Sequence, residues 1–288
     1  MKILLTGHLG QLATDFKARL QDEELILTEF EDLDLSIAGR VSEFVSAVRP
    51  DLILNCAAYN RVDEAEDRPE AAFAANAYAP RNLALAAREC GATLVHFSTD
   101  YVFDGPGRVP YVETDRPCPQ SVYGISKLSG ELMVQATWNK HFIFRVCGLY
   151  GYAGSRDKGT NFVETMLALG AQGKPLKVVD DQILTPTSTK DVVEAVLPVI
   201  GTDRYGLYHL TAAGQCSWYE FACAIFAEAG LDVPITPVNS EFYKTKARRP
   251  RYSVLDNRSL REAGFQDLPP WRDGLHRYIQ GRPARQPG

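Results

Sequence analysis

The chain has 288 residues, enough for one large or two medium domains with a sizeable core. Hydrophobic and charged fractions of 45% and 23% are those of an ordinary globular protein. The net charge of -5 argues against nucleic acid or an anionic membrane as the main partner, while leaving room for an anionic ligand held by a local group of arginines.

The six cysteines (Cys56, Cys90, Cys118, Cys147, Cys216 and Cys223) form no C-x-x-C pair and read as reduced packing thiols. Neither a signal peptide nor an apolar run of about 18 residues is seen, so a cytoplasmic protein with no membrane contact is expected. The polar end, GRPARQPG, is expected to lack order.

Lys2–Thr6 reads as a buried parallel strand. GHLGQLA follows, with Gly7, Gly10 and Ala13 at small-residue positions, and then a helix pattern to Leu20. Strand, glycine turn and helix is the layout that sets backbone N–H groups against a pyrophosphate. A second strand, Leu25–Thr28, ends at Glu29, about twenty residues after Gly7, where a carboxylate can accept hydrogen bonds from the adenosine ribose. It would repel a 2′-phosphate, and residues 30–39 hold no Lys or Arg to receive one, which favours NADH over NADPH.

A helix over Ala38–Val48 leads to a strand at Asp51–Asn55, whose small followers Cys56, Ala57 and Ala58 leave room for a flat cofactor. Residues 63–90 are helix-forming with a bend at Pro80. Asn76 interrupts this apolar stretch and is read as bonding to backbone. Strand Thr93–Phe97 delivers Ser98, Thr99, Asp100 and Tyr101. Tyr123 and Lys127 are four apart, on one helical face. A phenol ordinarily ionises near ~10, and a neighbouring ammonium is expected to lower that value and give a proton donor for neutral pH.

The helix runs to about Trp138 and strand His141–Val146 follows. The alternation predicts an α/β fold, a doubly wound parallel sheet ending near residue 148. Beyond it come a Gly-rich loop over 149–160, a helix over Asn161–Leu169, a strand at Leu176–Val179, and a turn at Thr185-Pro186-Thr187. An amphipathic helix to Val199 and a strand at Gly206–Leu210 are read as a return of the chain to the first domain near 186–210. Ser217 caps a helix through Ala229, and Arg248, Arg249 and Arg251 cluster within four residues, a set of guanidinium forks suited to a diphosphate.

MKILLTGHLGQLA, LNCAAYNRVDEAE, HFSTDYVFDG, YVETD, VYGISKLSGE, the NF–DDQ–TPTS series, GLYHLTAAG with Trp218, and RRPRYSVLD together resemble the dTDP-4-dehydrorhamnose reductases of the extended short-chain dehydrogenase/reductase family. The resemblance covers nearly the whole chain. It implies a Rossmann-type domain over 1–148 binding NADH or NADPH, and a smaller α/β C-terminal domain, mainly 149–288, binding a nucleotide sugar. By the same resemblance Tyr123 is the catalytic acid, Lys127 holds the nicotinamide ribose and tunes it, and Thr99 is the partner hydroxyl at the carbonyl. Asp100 is its neighbour in the substrate site; Tyr101 beside it is also read as a substrate contact, and the arginine cluster offers Arg248 and Arg249 as candidates for the diphosphate. Gly7, Gly10, Gln11 and Leu12 match the pyrophosphate turn and Glu29 the ribose position. Asp34, Leu35, Ala57, Ala58 and Tyr59 match further cofactor contacts.

One position departs. The family reads Arg-Thr/Ser-Ser-Trp-Val/Leu-Tyr where this chain has Arg145-Val146-Cys147-Gly148-Leu149-Tyr150. Gly148 is expected to leave a hole where a tryptophan lies against the sugar, which bears on the identity of the sugar. No acidic set for a magnesium-linked dimer can be picked out, so no metal is expected, and a homodimer stays open. Two other readings use the same residues: a 4-ketoreductase for another nucleotide-linked deoxysugar, and a non-catalytic dinucleotide-binding regulatory subunit, against which the Thr99, Tyr123 and Lys127 set argues.

Overall fold

The protein is described here by a computed structural model covering residues 1–155 and 159–282. Of the polar end expected to lack order, Arg282 instead forks onto Glu164, and residues from 283 onward lie outside the described ones.

The first half runs β1 (Lys2–Thr6), α1 (Gln11–Arg19), β2 (Glu24–Thr28), α2 (Ala38–Val48), β3 (Leu52–Asn55), α3 (Val62–Ala65), α4 (Pro69–Phe73), a π-helical turn (Ala74–Tyr78), α5 (Ala79–Cys90), β4 (Thr93–Thr99), a 3-10 turn (Asp100–Val102), α6 (Val122–Thr137) and β5 (His141–Val146). The second half runs β6 (Leu149–Tyr150), α7 (Phe162–Gly170), β7 (Leu176–Val179), β8 (Ile183–Leu184), β9 (Thr187–Ser188), α8 (Thr189–Ile200), β10 (Gly206–His209), β11 (Cys216–Ser217), α9 (Trp218–Glu228), β12 (Ile235–Val238), a 3-10 turn (Ser240–Phe242), α10 (Arg258–Glu262) and α11 (Trp271–Gln280).

Six strands form one sheet in the order β10-β5-β4-β3-β1-β2, every neighbouring pair parallel. Alternation along the strands explains why both faces are covered. Ile3 and Leu5 of β1 pack with α1 and α8 on one face, and Leu4 packs with α2 and α5 on the other. Each of these side chains is fully buried, worth roughly 1.5–3 kcal/mol apiece. This is a Rossmann-type doubly wound sheet. Its strand order reverses between β1 and β3, where such sheets open a crevice beyond the strand C-termini.

A second core holds the other half: Val163 and Leu167 of α7, Phe221 and Ile225 of α9, and Trp271, Leu275 and Tyr278 of α11. Its strands pair in twos, β8 with β11, β7 with β12 and β6 with β9. The sequence reading contained neither β12 nor α11.

The helix expected to bend at Pro80 instead widens. A proline ring clashes with the carbonyl four residues back, here that of Asn76, and the π-helical turn over Ala74–Tyr78 makes the room. A Cβ on Gly130 of α6 would run into that same Asn76 carbonyl, so the two helices meet backbone to backbone.

Candidate active site

A cavity of about 930 Å³ opens over the strand ends and is walled by both halves of the chain. Gly7 forms its floor with φ +64°, and a Cβ there would lie 2.8 Å from the backbone of Ala57. Only glycine fits so close an approach in that conformation. Gly10 caps α1 with no side-chain partner for the first amides, which leaves N–H groups beside the cavity. Leu12, Ala57 and Ala58 line the same half.

Glu29 is 7% exposed and accepts a hydrogen bond from Leu9 N at 2.6 Å, so it braces the glycine turn while lining the cavity. Asp34 and Leu35 lie beside it. Asp34 Oδ1 accepts from both Ser36 N and Ser36 Oγ, and Leu35 O accepts from Asn82 Nδ2 at 2.9 Å. Gln11 lines the cavity but its amide bridges to the other half, donating to Leu149 O and accepting from Gly151 N. Asn76, held by the π-helical turn, accepts from Tyr59 N at 2.9 Å and donates to Tyr59 O and Ser126 Oγ. The backbone bond read for it thus carries the Tyr59 loop. Floor, open helix N-terminus and small-residue walls fit a nicotinamide dinucleotide, and these residues would hold it.

Thr99 ends β4 and Tyr123 stands in the first turn of α6, capped by Ser121 Oγ accepting from Gly124 N. A Cβ on Gly124 would strike the Tyr101 carbonyl, so this glycine lets α6 close on the 3-10 turn and bring the phenol to the threonine. Tyr123 is 8% exposed, hydrogen-bonded to the Thr99 hydroxyl and packed edge-on against Tyr101 with ring centroids 5.6 Å apart.

The expectation for the phenol is corrected. Burial pushes the Tyr123 pKa well above its usual value, the Thr99 hydrogen bond opposes this, and a charge on Asp100 would add to it. Lys127 does not offset the burial, because its ammonium turns to Phe97 O at 2.5 Å. Burial brings Lys127 itself down to about 8, against the favourable charge of Glu131.

Arg249 lines the cavity yet already forks onto Asp63, with Nη2 to Oδ2 at 2.6 Å and Nη1 to Oδ1 at 3.2 Å. Arg248 is exposed and stands outside the lining, apart from Arg249 with which sequence proximity grouped it. Gly148 lines the cavity, but no open hole extends from it. Its φ is +55°, and a Cβ would meet Leu184 Cδ1 at 3.0 Å and Pro186 Cα at 3.2 Å.

The aromatic surface of this half comes from Phe162 and Trp218, with centroids 4.5 Å apart, at the first positions of α7 and α9. Sequence reasoning assigned neither to the site, nor Ser253 and Cys147 beside Asp100. The helix caps before Phe162 and Trp218 were the only local signal. Among the described residues no group of three His, Cys, Asp or Glu could hold a metal ion.

A family model described as the RmlD substrate binding domain matches residues 1–282. The chain belongs to this family. Within the RmlD family it is 38% identical, over 97% of both chains, to a dTDP-4-dehydrorhamnose reductase of Escherichia coli. It is also 40% identical, over 98% of both, to a spore coat polysaccharide biosynthesis protein of Bacillus subtilis. The crystal structure of a dTDP-4-dehydrorhamnose reductase from Clostridium acetobutylicum superposes with a TM-score of 0.93 at 43% identity, covering 97% of this chain and 99% of that one. The Bacillus anthracis dTDP-4-dehydrorhamnose reductase, solved in complex with NADP, gives 0.93 at 38%, covering 98% and 100%.

Proposed function

We propose that the protein reduces the C4 ketone of dTDP-4-dehydro-6-deoxy-L-mannose to dTDP-L-rhamnose with NAD(P)H, as a cytoplasmic enzyme. The observation that supports this most is the meeting of Thr99, Tyr123 and Lys127 in the one cavity that also holds the glycine turn and Arg249. The names of full-length relatives near 40% identity point the same way.

Bound NAD(P)H supplies the hydride. Tyr123 gives its proton to the oxygen that becomes the C4 hydroxyl, and Thr99 hydrogen-bonds the same oxygen. Its high pKa keeps the phenol protonated until that oxygen gains charge. Lys127 carries the positive charge beneath the nicotinamide ribose and loses it as pH rises through about 8. Glu29 faces the adenosine ribose and favours NADH. Arg249 reaches the diphosphate from the C-terminal half. Phe162 and Trp218 offer flat apolar surface to the ligand.

The test is oxidation of NADH and of NADPH with the dTDP sugar generated in situ. Rapid turnover is expected, and Tyr123→Phe should lose about 100-fold or more in kcat while still binding dinucleotide. Dinucleotide binding without turnover on this sugar would overturn the reading.

A further inference from the structure

Asp100 is a carboxyl in the reaction chamber, and among the described residues no cation stands beside it. It is 4% exposed, and its partners are all neutral: Thr99 Oγ1 at 3.0 Å on Oδ1, Cys147 Sγ at 3.1 Å on Oδ2, and the Ser253 hydroxyl. Across from it stand two phenols, Tyr101 on its own turn and Tyr123 on α6, whose ionisation its charge would oppose. Cys147 follows β5, and its thiol is likewise held protonated. Arg249, the cavity-lining cation on the segment that carries Ser253, pairs with Asp63 and meets the Tyr101 phenol rather than Asp100.

The count of protons at Thr99 decides what this carboxyl must do. A threonine hydroxyl has one proton and two lone pairs. One lone pair of Thr99 is taken by Tyr101 N–H at 3.2 Å, and its bond to the Tyr123 phenol lowers the pKa of that group, so there Thr99 gives its proton. A charged Asp100 can only accept, so it would take the single proton of Thr99 and leave none for a ketone. A neutral Asp100 can instead donate to the second lone pair.

Resting on the reductase reading above, we propose that Asp100 works as a neutral acid, a positioning residue whose proton, donated to Thr99, frees the Thr99 hydroxyl to donate to the ketone oxygen. Burial pushes the Asp100 pKa upward, opposed by hydrogen bonds from Ser253, Cys147 and Thr99. No bond to Asp100 is made or broken in the reaction; it sets which way one hydroxyl points.

The sign of the pH effect follows. The active form is protonated, so reduction is full at low pH and falls as pH rises through the raised pKa of Asp100. Asp100→Asn keeps an N–H donor toward Thr99 at every pH, should lose less than tenfold in kcat, and should lack that limb. Asp100→Ala leaves Thr99 without its donor and should lose about 100-fold in kcat. Retained NADH binding reports that each variant is folded.

Wild type minus Asp100→Asn infrared difference spectra should show a neutral-carboxyl band at neutral pH in the apo protein. The proposal is overturned if Asp100→Asn is as slow as Asp100→Ala, if its pH profile superimposes on wild type, or if that band is absent. Absence of wild-type turnover would sink the functional reading alone, and the infrared band then decides the state of Asp100 by itself.

Discussion

Glu29 braces the glycine turn and, in the proposed reading, also selects the coenzyme. Its carboxylate accepts from Leu9 N at 2.6 Å and so fixes the glycine turn, and it lines the cavity where a ribose would sit. Glu29→Gln keeps an acceptor for Leu9 and removes the charge. The expected result is a rise of about tenfold in the ratio of kcat/KM for NADPH over NADH, the scale of one weakened charge repulsion near the surface. An unchanged ratio from initial rates would mean that the carboxylate does not set the preference. That Thr99, Tyr123 and Lys127 belong to one site was legible because their types and spacings are local, Thr99 at a strand end and the other two one turn apart. The ionisation of Tyr123 was not. Adjacency to Lys127 can be read along a helix, whereas burial and the turn of that ammonium to Phe97 depend on strands from elsewhere in the chain.

Among the elements, α6 is the part on which the proposed chemistry hangs, and it is anchored below the site as well as at it. Glu131, one turn beyond Lys127, accepts from Arg145 Nε at 2.9 Å and Nη2 at 2.7 Å, and from Ser98 Oγ. Both charges are almost fully buried. Glu131→Ala leaves the Arg145 guanidinium buried beside the Phe103 ring and His209, whose imidazole burial keeps neutral with its pKa down at about 3. Stability should fall by about 3–5 kcal/mol in urea titration, the usual cost of stripping one partner from a buried pair. A loss below about 1 kcal/mol would show that water reaches the guanidinium and that α6 is held by packing alone. Sequence foretold α6 and the six sheet strands to within a residue or two, because buried parallel strands are short apolar runs between helices. It foretold a bend at Pro80 but not the widened turn, which depends on Gly130 admitting the Asn76 carbonyl. The apolar stripe Trp271, Leu275, Tyr278 of α11 was there to be read and was passed over.

At the scale of the whole molecule, the cavity exists because two cores close on it, and the contacts across it are polar. Arg249 grips Asp63 of α3, Lys246 pairs with Asp67, and Gln11 ties the glycine turn to the strand after β5. The C-terminal walls were hard to see in sequence for a physical reason: β6, β8, β9 and β11 are two residues long and pair across dozens of positions, too short for any periodicity to build up. Arg249 is the residue on which structure and binding compete. Its pair with Asp63 is partly exposed, 22% and 43%, so solvent screening keeps its worth to stability below about 1 kcal/mol. A charge-assisted bond from the same guanidinium to a diphosphate in the closed cavity is worth more, about 1.5–3 kcal/mol. Arg249→Ala should therefore scarcely change the urea midpoint while raising KM for the nucleotide sugar about tenfold or more, with the KM for NADH unmoved. The reverse pattern, a large loss of stability with the sugar KM intact, would make Arg249 a clasp between the two halves and leave the diphosphate to some other group.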